Sequence, residues 1–357
     1  MKNNRRKKWR KITVFSILLV GMIFFIEKDK SGKVNYGEQP VSTQSTDEDT
    51  VLIGGMPVGI YMETDGILVL DTQKIKGKDG EEYEPARHLV HSGDYIVGIN
   101  DRKVEGKKDL AEELATIDQK EVALKLRRGT DYIDVNVDAV KCEEDDYKLG
   151  IWIRDNVQGL GTITFLTGNS KFGALGHGIH DADTSVLMDI AGGSLYKTNI
   201  RSILKGENGI PGSMEGMIVY NRYNRVGTVE KNTETGIYGT VEDLDGLFEN
   251  PEAVQVAKTE EIHEGAAKIR CCLGEEIREY DIEVTGIHYE SKEENKGIVL
   301  QVTDPELLEQ TGGIIQGMSG SPIIQDGKLV GAVTHVFVND PTRGYGIFIE
   351  NMLKAAE

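Results

Sequence analysis

The region from residue 148 to residue 357 is divided into many short apolar runs by turn residues, and this pattern restricts the fold more than any other feature. Runs such as GLGTITFL, YDIEVTGIHY and KLVGAVTHV have the length and the β-branched content of strands. Helical periodicity is weak except in the last residues, IENMLKAAE. The chain has 42 glycines and few aromatic residues, which also suits turns and strands. The sequence therefore predicts a mainly β fold, with a sandwich or barrel in this region.

One serine in this region has an unusual setting. Ser319 stands in QGMSGSPII, with Gly317 and Gly320 close on either side. Glycines at this spacing allow a tight, exposed turn. The turn is followed by an apolar strand, then Asp326-Gly327, then another strand, which is a strong signal for a β-hairpin. Ser319 is thus a candidate nucleophile, and a serine in that role needs a base.

The chain has seven histidines, and His177 is the best candidate for the base. It stands in GALGHGIHD between Gly176 and Gly178, which leaves the imidazole approachable. The alternative is a turn histidine that only makes hydrogen bonds. His177 and His180 are three residues apart, so a metal site is a further alternative. The glycines argue against a helix there and no third ligand is evident, so neither a metal nor a cofactor is expected.

A third residue would orient the imidazole, and Asp304 is the first candidate. It ends the β-run GIVLQVTD and precedes a proline, so its carboxylate could lie at a strand end beside a cleft. The alternative is a helix N-cap, with Pro305 at the first helical position. Asp181 and Asp183 are the runners-up, although they lie very close to His177 in sequence.

Residues 50–140 predict a separate small domain. Strands, a short helix at residues 107–117 and a final hairpin near Gly129 follow one another in an order that resembles a PDZ domain, most clearly in HSGDYIVGINDRKV. In PDZ domains a peptide tail adds a strand to the sheet edge beside a helix, and its carboxylate meets the amides of a loop. Here that loop would be MPVG at residues 56–59. The predicted groove residues are Val58, Gly59, Ile60, Leu110 and Leu114, although each one suits an ordinary core as well.

The N-terminus predicts a membrane anchor. Its first 11 residues, MKNNRRKKWRK, contain seven lysines and arginines and no acid, and residues 12–26 are continuously apolar. We therefore expect a basic cytoplasmic end and signal anchor over residues 1–26. A flexible polar tether over residues 27–49 and extracytoplasmic domains would follow. Without residues 1–26 the chain has 34 basic against 59 acidic residues, which disfavours nucleic acid as a partner. Its three cysteines, two of them adjacent, do not form a disulfide framework.

Three motifs together, GALGHGIHD, TDPELL and TGGIIQGMSGSPIIQDGKLVGAVTHVFVNDPT, resemble the sporulation stage IV protein B family of serine peptidases. The resemblance covers nearly the whole chain: anchor, PDZ-like domain and a chymotrypsin-like peptidase domain over residues 148–357. It implies that Ser319 is the nucleophile, His177 the general base and Asp304 the acid. The backbone amides of Gly317 and Ser319 would form the oxyanion hole. His335, in the strand expected to pair with the substrate backbone, would lie near the primary specificity pocket.

The family also implies a task and a place. A member of it cleaves itself and a membrane-bound regulator in the space between the two forespore membranes, which leads to activation of a late mother-cell sigma factor. Two departures from the chymotrypsin pattern are visible here. Met318 replaces the usual Asp or Asn, and Asp304 precedes Ser319 by only 15 residues.

Two other functions fit the sequence. One is an envelope quality-control protease regulated by its PDZ-like domain, which would cut unfolded proteins broadly. The other is a non-catalytic PDZ adaptor with a degenerate protease fold, which would keep its function without Ser319.

Overall fold

The computed structural model describes residues 50–117, 120–142, 147–248 and 251–357, and this part of the chain is mainly β. The mainly β class expected from the sequence is therefore confirmed. The chain's short runs form the strands, and the C-terminal IENMLKAAE forms a helix as its periodicity predicted.

The strands in chain order are β1 (Thr50–Ile53), β2 (Pro57–Thr72), β3 (Ile75–Lys76), β4 (Glu82–Tyr83), β5 (Tyr95–Ile99), β6 (Arg102–Lys103), β7 (Glu121–Arg128), β8 (Asp131–Asp138), β9 (Val140–Lys141), β10 (Tyr147–Lys148), β11 (Ile151–Leu166), β12 (Lys171–Ala174), β13 (Ile190–Leu204), β14 (Ser213–Ile218), β15 (Arg225–Thr233), β16 (Gly236–Val241), β17 (Ala253–Val256), β18 (Gly265–Cys272), β19 (Ile277–Ile287), β20 (Ile298–Val302), β21 (Pro322–Gln325), β22 (Lys328–Phe337) and β23 (Asp340–Phe348). The α-helices are α1 (Lys107–Thr116), α2 (Leu244–Leu247), α3 (Pro305–Thr311) and α4 (Ile349–Ala356), and single 3-10 turns occur at Thr259–Glu261 and Glu294–Lys296.

A closed ring of six antiparallel strands forms what we call the first barrel. In this ring β2 pairs with β11, β11 with β12, β12 with β16, β16 with β15, β15 with β13, and β13 with β2 again. Closure leaves no free sheet edge around the ring. Its interior is filled by buried apolar side chains, among them Val58, Ile60, Phe172 and Leu195.

A second ring of six antiparallel strands forms the second barrel. Here β18 pairs with β19, β19 with β20, β20 with β23, β23 with β22, β22 with β21, and β21 with β18. The turn between β21 and β22 is the predicted hairpin: Asp326 and Gly327 have φ of 52° and 78°, as this tight hairpin turn requires. Helix α4 packs Ile349 and Met352 against buried residues of both barrels and so fixes them together.

A smaller sheet is formed by β5, β7, β8 and the second half of β2. Strand β7 shows why it folds as a strand: its side chains alternate between exposed and buried from Glu121 to Leu126. Helix α1 covers this sheet through Leu110, which is only 5% exposed and belongs to the core. Leu114 packs against the same core and is half-buried.

The predicted peptide groove is corrected by these strand pairings. Val58, Gly59 and Ile60 do not form a loop beside α1, because they lie within β2 and pair on both sides with the first-barrel strands β11 and β13. Leu110 and Leu114 instead face the chain's own segment around β10 and the start of β11, which lines the cavity beside α1. Strand β2 lies within residues 50–140, the predicted PDZ-like domain. Its first half belongs to the first barrel and its second half to the small sheet.

Within the described ranges 50–117, 120–142, 147–248 and 251–357, no helix is long and apolar enough to cross a membrane. The predicted localisation as a single-pass membrane protein is corrected by this finding. The predicted anchor over residues 12–26 and tether over residues 27–49 lie outside the described residues.

Candidate active site

The turn that carries Ser319 lies between α3 and β21 of the second barrel. Gly317 and Gly320 have φ of 101° and 92°, a conformation that residues with a Cβ rarely adopt. A Cβ on Gly320 would also stand 2.1 Å from the carbonyl oxygen of Thr162. Met318 is fully buried in the second-barrel core and anchors the turn. The sequence Gly-Met-Ser-Gly therefore specifies a tight, fixed turn with the serine at its tip.

Strand β11 of the first barrel holds this turn from the other side. The Thr162 amide donates to the Ser319 carbonyl at 3.0 Å, and the Thr162 hydroxyl donates to the Gly317 carbonyl at 2.8 Å. The Thr164 hydroxyl donates to the Gly320 carbonyl, also at 2.8 Å. These bonds fix the position of Ser319 relative to the first barrel, where His177 is located.

The Ser319 hydroxyl donates a hydrogen bond to the carbonyl oxygen of Thr334 at 2.8 Å. Thr334 is buried in β22, and its own hydroxyl donates to the carbonyl of Asn295 at 2.6 Å. The side chain of Ser319 is therefore held by a strand of the second barrel, with its oxygen on the surface of a cleft.

His177 follows β12 of the first barrel, at a point where Leu175 and Gly176 both have φ of 69°. Its Nδ1 lies 2.9 Å from the carbonyl oxygen of Gly178. A carbonyl oxygen can only accept, so Nδ1 carries the proton and Nε2 is left as the basic nitrogen. Burial lowers the pKa of His177, which keeps the ring neutral at neutral pH.

His177 and Ser319 line the same cleft between the two barrels, which has a volume of about 450 Å³. His335 also lines it, and its ring centroid lies 5.0 Å from that of His177. Burial, together with the nearby His177, lowers the pKa of His335 to about 4, so this ring is neutral as well. The structure thus brings together three of the predicted residues, one from the first barrel and two from the second.

The amides of Gly317 and Ser319 border the cleft beside the serine hydroxyl. Neither amide donates a hydrogen bond to any residue that the structure describes. Free backbone donors on a fixed turn can bind an oxygen that becomes negatively charged during a reaction. These two amides are the ones that the sequence predicts as the oxyanion hole, which remains a prediction.

Asp304 does not reach His177, and the prediction of Asp304 as the orienting acid needs correction on this geometry. Its carboxylate accepts the Leu307 amide at 3.0 Å and the Asp281 amide at 3.3 Å. It is the N-cap of α3, with Pro305 at the start of the helix. The sequence Asp-Pro-Glu-Leu satisfies the capping rules fully, so local structure accounts for the aspartate.

The two runners-up are also engaged elsewhere. One carboxylate oxygen of Asp181 accepts the amide and hydroxyl of Thr184 at 2.8 and 3.0 Å, and the other pairs with Arg154. Burial raises the pKa of Asp181, but the hydrogen bonds from Thr184 and the charge of Arg154 outweigh it, and the pKa is lowered overall. Asp183 pairs with Arg154 at 2.8 Å. Within the described residues, no carboxylate is hydrogen-bonded to His177.

The metal alternative has no support from the described residues. Among them, no group of three or more His, Cys, Asp or Glu side chains is arranged to hold an ion. The Nε2 of His180 lies 3.4 Å from the carboxylate of Glu234.

Sequence reasoning missed the residues that position the reacting groups through their backbone. Thr162 fixes the serine turn, Thr334 accepts the serine hydroxyl, and Gly178 fixes the histidine tautomer. Carbonyl contacts of this kind leave no signature in residue type. Only His335, predicted near the primary pocket on the strand expected to pair with the substrate, pointed to this part of β22.

Two barrels that face each other across a cleft, with a glycine-bent serine on one and a neutral histidine on the other, define a serine endopeptidase. The chain belongs to the SpoIVB peptidase family S55, whose family model matches residues 145–353. The resemblance noted in the sequence is therefore confirmed. No curated protein matches the chain.

Several solved structures show weak similarity. The PDZ domain of the SdrC-like protein from Listeria monocytogenes is 18% identical, with a TM-score of 0.20, over 25% of this chain and 87% of that one. The HtrA-type protease AlgW with a decapeptide is 12% identical, with a TM-score of 0.32, over 57% and 52%. The Rv3671c protease from M. tuberculosis in its active form is 12% identical, with a TM-score of 0.28, over 56% and 74%.

Proposed function

We propose that this endopeptidase has a chymotrypsin-like mechanism in which Ser319 is the nucleophile and His177 the general base. His177 Nε2 takes the proton of the serine hydroxyl as Oγ attacks the substrate carbonyl carbon. The carbonyl oxygen becomes negatively charged and binds the amides of Gly317 and Ser319. The protonated His177 then gives its proton to the leaving amine, and water releases the acyl group in the same way. The fixed tautomer of His177 on the cleft of Ser319 is the observation that supports this assignment.

The orienting partner of His177 in this mechanism is the carbonyl of Gly178. It performs two tasks that an aspartate performs in the familiar triad, which are to select the tautomer and to hold the ring. As a neutral group it stabilises the imidazolium less than a carboxylate would. This difference leads to two predictions.

The first prediction concerns pH. His177 acts as a base only when it is unprotonated, and burial lowers its pKa from the usual 6.5. We therefore expect kcat/KM to stay high as the pH falls to 6.5 and to decline only below it. The measurement is a pH profile of kcat/KM on a peptide substrate. A carboxylate on Nδ1 would raise the pKa, so an acid limb with its midpoint above 7 would contradict the geometry.

The second prediction concerns Asp304. Because Asn caps helices as well as Asp, we expect Asp304→Asn to change kcat/KM by no more than about twofold and to leave the Tm unchanged. Asp304→Ala removes the cap and should cost about 0.5–2 kcal/mol of unfolding free energy. Kinetics and thermal melts of both variants are the measurements. A loss of activity by orders of magnitude in Asp304→Asn would instead restore Asp304 as the acid.

Membership of the SpoIVB peptidase family supports a role in sporulation signalling, which we propose for this chain. Its substrates would be itself and a membrane-bound regulator, and their cleavage would lead to activation of a late mother-cell sigma factor. The test is mass spectrometry of the protein co-expressed with a candidate regulator, with Ser319→Ala as the control. Defined cuts that require Ser319 are expected. Broad digestion of unfolded proteins, with the regulator intact, would favour an envelope quality-control protease.

A further inference from the structure

The walls of the active-site cleft combine apolar side chains with neutral polar ones, among them Gln158 and Gln316. Apart from His177 and His335, no side chain that lines it can ionise. The first barrel contributes Val157 and Leu160, and the second contributes Ile314 and Val336. Among the described residues that line the cleft there is neither a carboxylate nor a cationic side chain, and the nearest charges that act on a lining residue are those of Lys296 and Glu293 on His335.

The residue whose carbonyl is attacked lies against one identifiable part of these walls. Its carbonyl oxygen must reach the amides of Gly317 and Ser319, so its side chain lies beside the segment that leads into Gly317. That segment contains Ile314, and strand β22, the second strand after Ser319, contributes Val336. Pro211 also lines the cleft. We call the surface formed by Pro211, Ile314 and Val336 the acyl-side subsite.

The acyl-side subsite is rigid on its inner side. Ile314 is 2% exposed and belongs to the second-barrel core, and its amide donates to the Pro341 carbonyl at 2.7 Å. Gly344 pairs with Val336 in the sheet and leaves room for the Ile314 side chain. A Cβ on Gly344 would stand 2.6 Å from Ile314 Cδ1. A tightly packed wall cannot move aside to admit water beside a buried charge. The acyl-side subsite therefore selects substrate side chains by their charge as well as by their size.

We propose that the acyl-side subsite takes an uncharged apolar side chain, so that the peptidase cuts after apolar residues. This inference rests on the proposed role of Ser319. An apolar side chain gains about 0.8 kcal/mol for each CH₂ removed from water. A charged side chain would lose its hydration without gaining a partner, which is far more costly.

The first experiment uses the full-length protein and a mixture of proteome-derived peptides, and cut bonds are identified by mass spectrometry. We expect cuts after Leu, Ile, Val, Met and Phe to exceed cuts after Lys, Arg, Asp and Glu by about 100-fold in kcat/KM. Preferred cleavage after charged residues would overturn the proposal. Failure of the wild type to cut any peptide, or equal cutting by Ser319→Ala, would instead refute the role of Ser319.

The second experiment changes the wall. Val336 is half-buried, and Val336→Asp places a carboxylate in the acyl-side subsite. The ratio of cuts after Lys or Arg to cuts after Leu should rise by about tenfold or more. Val336→Asn separates charge from polarity, and Val219→Asp adds the same charge at a site 47% exposed and outside the cleft. Val336→Asn should raise the ratio far less than Val336→Asp, and Val219→Asp should leave it unchanged. A folded, active Val336→Asp with the wild-type preference would overturn the proposal.

A variant that keeps the wall apolar covers the case in which Val336→Asp does not fold. Val336→Ala enlarges the acyl-side subsite without a polar group, so cuts after Phe should gain relative to cuts after Val. An unchanged Phe-to-Val ratio in folded Val336→Ala would show that Val336 does not contact this side chain, and it too would overturn the proposal.

Discussion

Ser319→Ala is expected to reduce peptide hydrolysis by about a thousandfold or more, because the chain loses the only atom proposed to form the acyl bond. The fold should survive, because among the described residues the Ser319 side chain makes a single hydrogen bond, to the Thr334 carbonyl. The position of the turn depends on the backbone of Ser319 and on Thr162, which the substitution leaves in place. Kinetics with a peptide substrate, together with circular dichroism and a thermal melt, test both expectations.

The chain offers a matched control two residues further on. Ser321 is fully buried, and its hydroxyl has no hydrogen-bond partner among the described residues. Ser321→Ala removes the same atom and a desolvated group, so activity should be retained and the Tm should stay the same or rise. Near-normal turnover by folded Ser319→Ala would refute the assignment and would favour a non-catalytic adaptor. An equal loss in both variants would point to damage of the turn rather than to loss of a nucleophile.

The sequence predicted well what depends on local chemistry. The glycines around Ser319, the Asp326-Gly327 hairpin and the alternation of β7 are local signals, and the structure agrees with each of them. Asp304 was ambiguous for the same reason. A strand end followed by proline suits both a catalytic acid and a helix cap, and only the bonds to Leu307 and Asp281 decide between them.

The sequence failed where long-range pairing decides. Val58 and Gly59 were predicted in a PDZ loop, but they belong to a barrel strand because β11 and β13 are available on both sides. Strand β11 follows β2 by some 80 residues, and no local pattern records which partner it will take. The closing of two six-stranded rings, and hence the cleft between them, is a property of this pairing order. The sequence could nominate His177 and Ser319, but their meeting on one cleft required the structure.

His177→Gln is expected to lower kcat/KM by about a thousandfold or more, since Gln offers no basic nitrogen to accept the serine proton. The Gln amide can still donate to the Gly178 carbonyl, so the loop after β12 should keep its conformation. His177→Ala would leave a space beside His335, where added imidazole can enter. A partial return of activity with imidazole would show that the lost group is a base, and a merely structural role would not respond to it.

His180→Gln is the control for this prediction, because His180 stands on the same loop but outside the cleft. It is exposed, and its contact with Glu234 at 3.4 Å joins two exposed side chains, which contributes little to stability. We expect His180→Gln to keep wild-type kcat/KM at neutral pH, with the acid limb moved slightly upward because the charge of His180 helps to lower the pKa of His177. The decisive comparison is therefore between two histidines three residues apart, measured under the same conditions. If folded His177→Gln kept more than about a tenth of the wild-type activity, proton transfer by His177 would contribute far less than a general base normally does, and another base would have to serve Ser319.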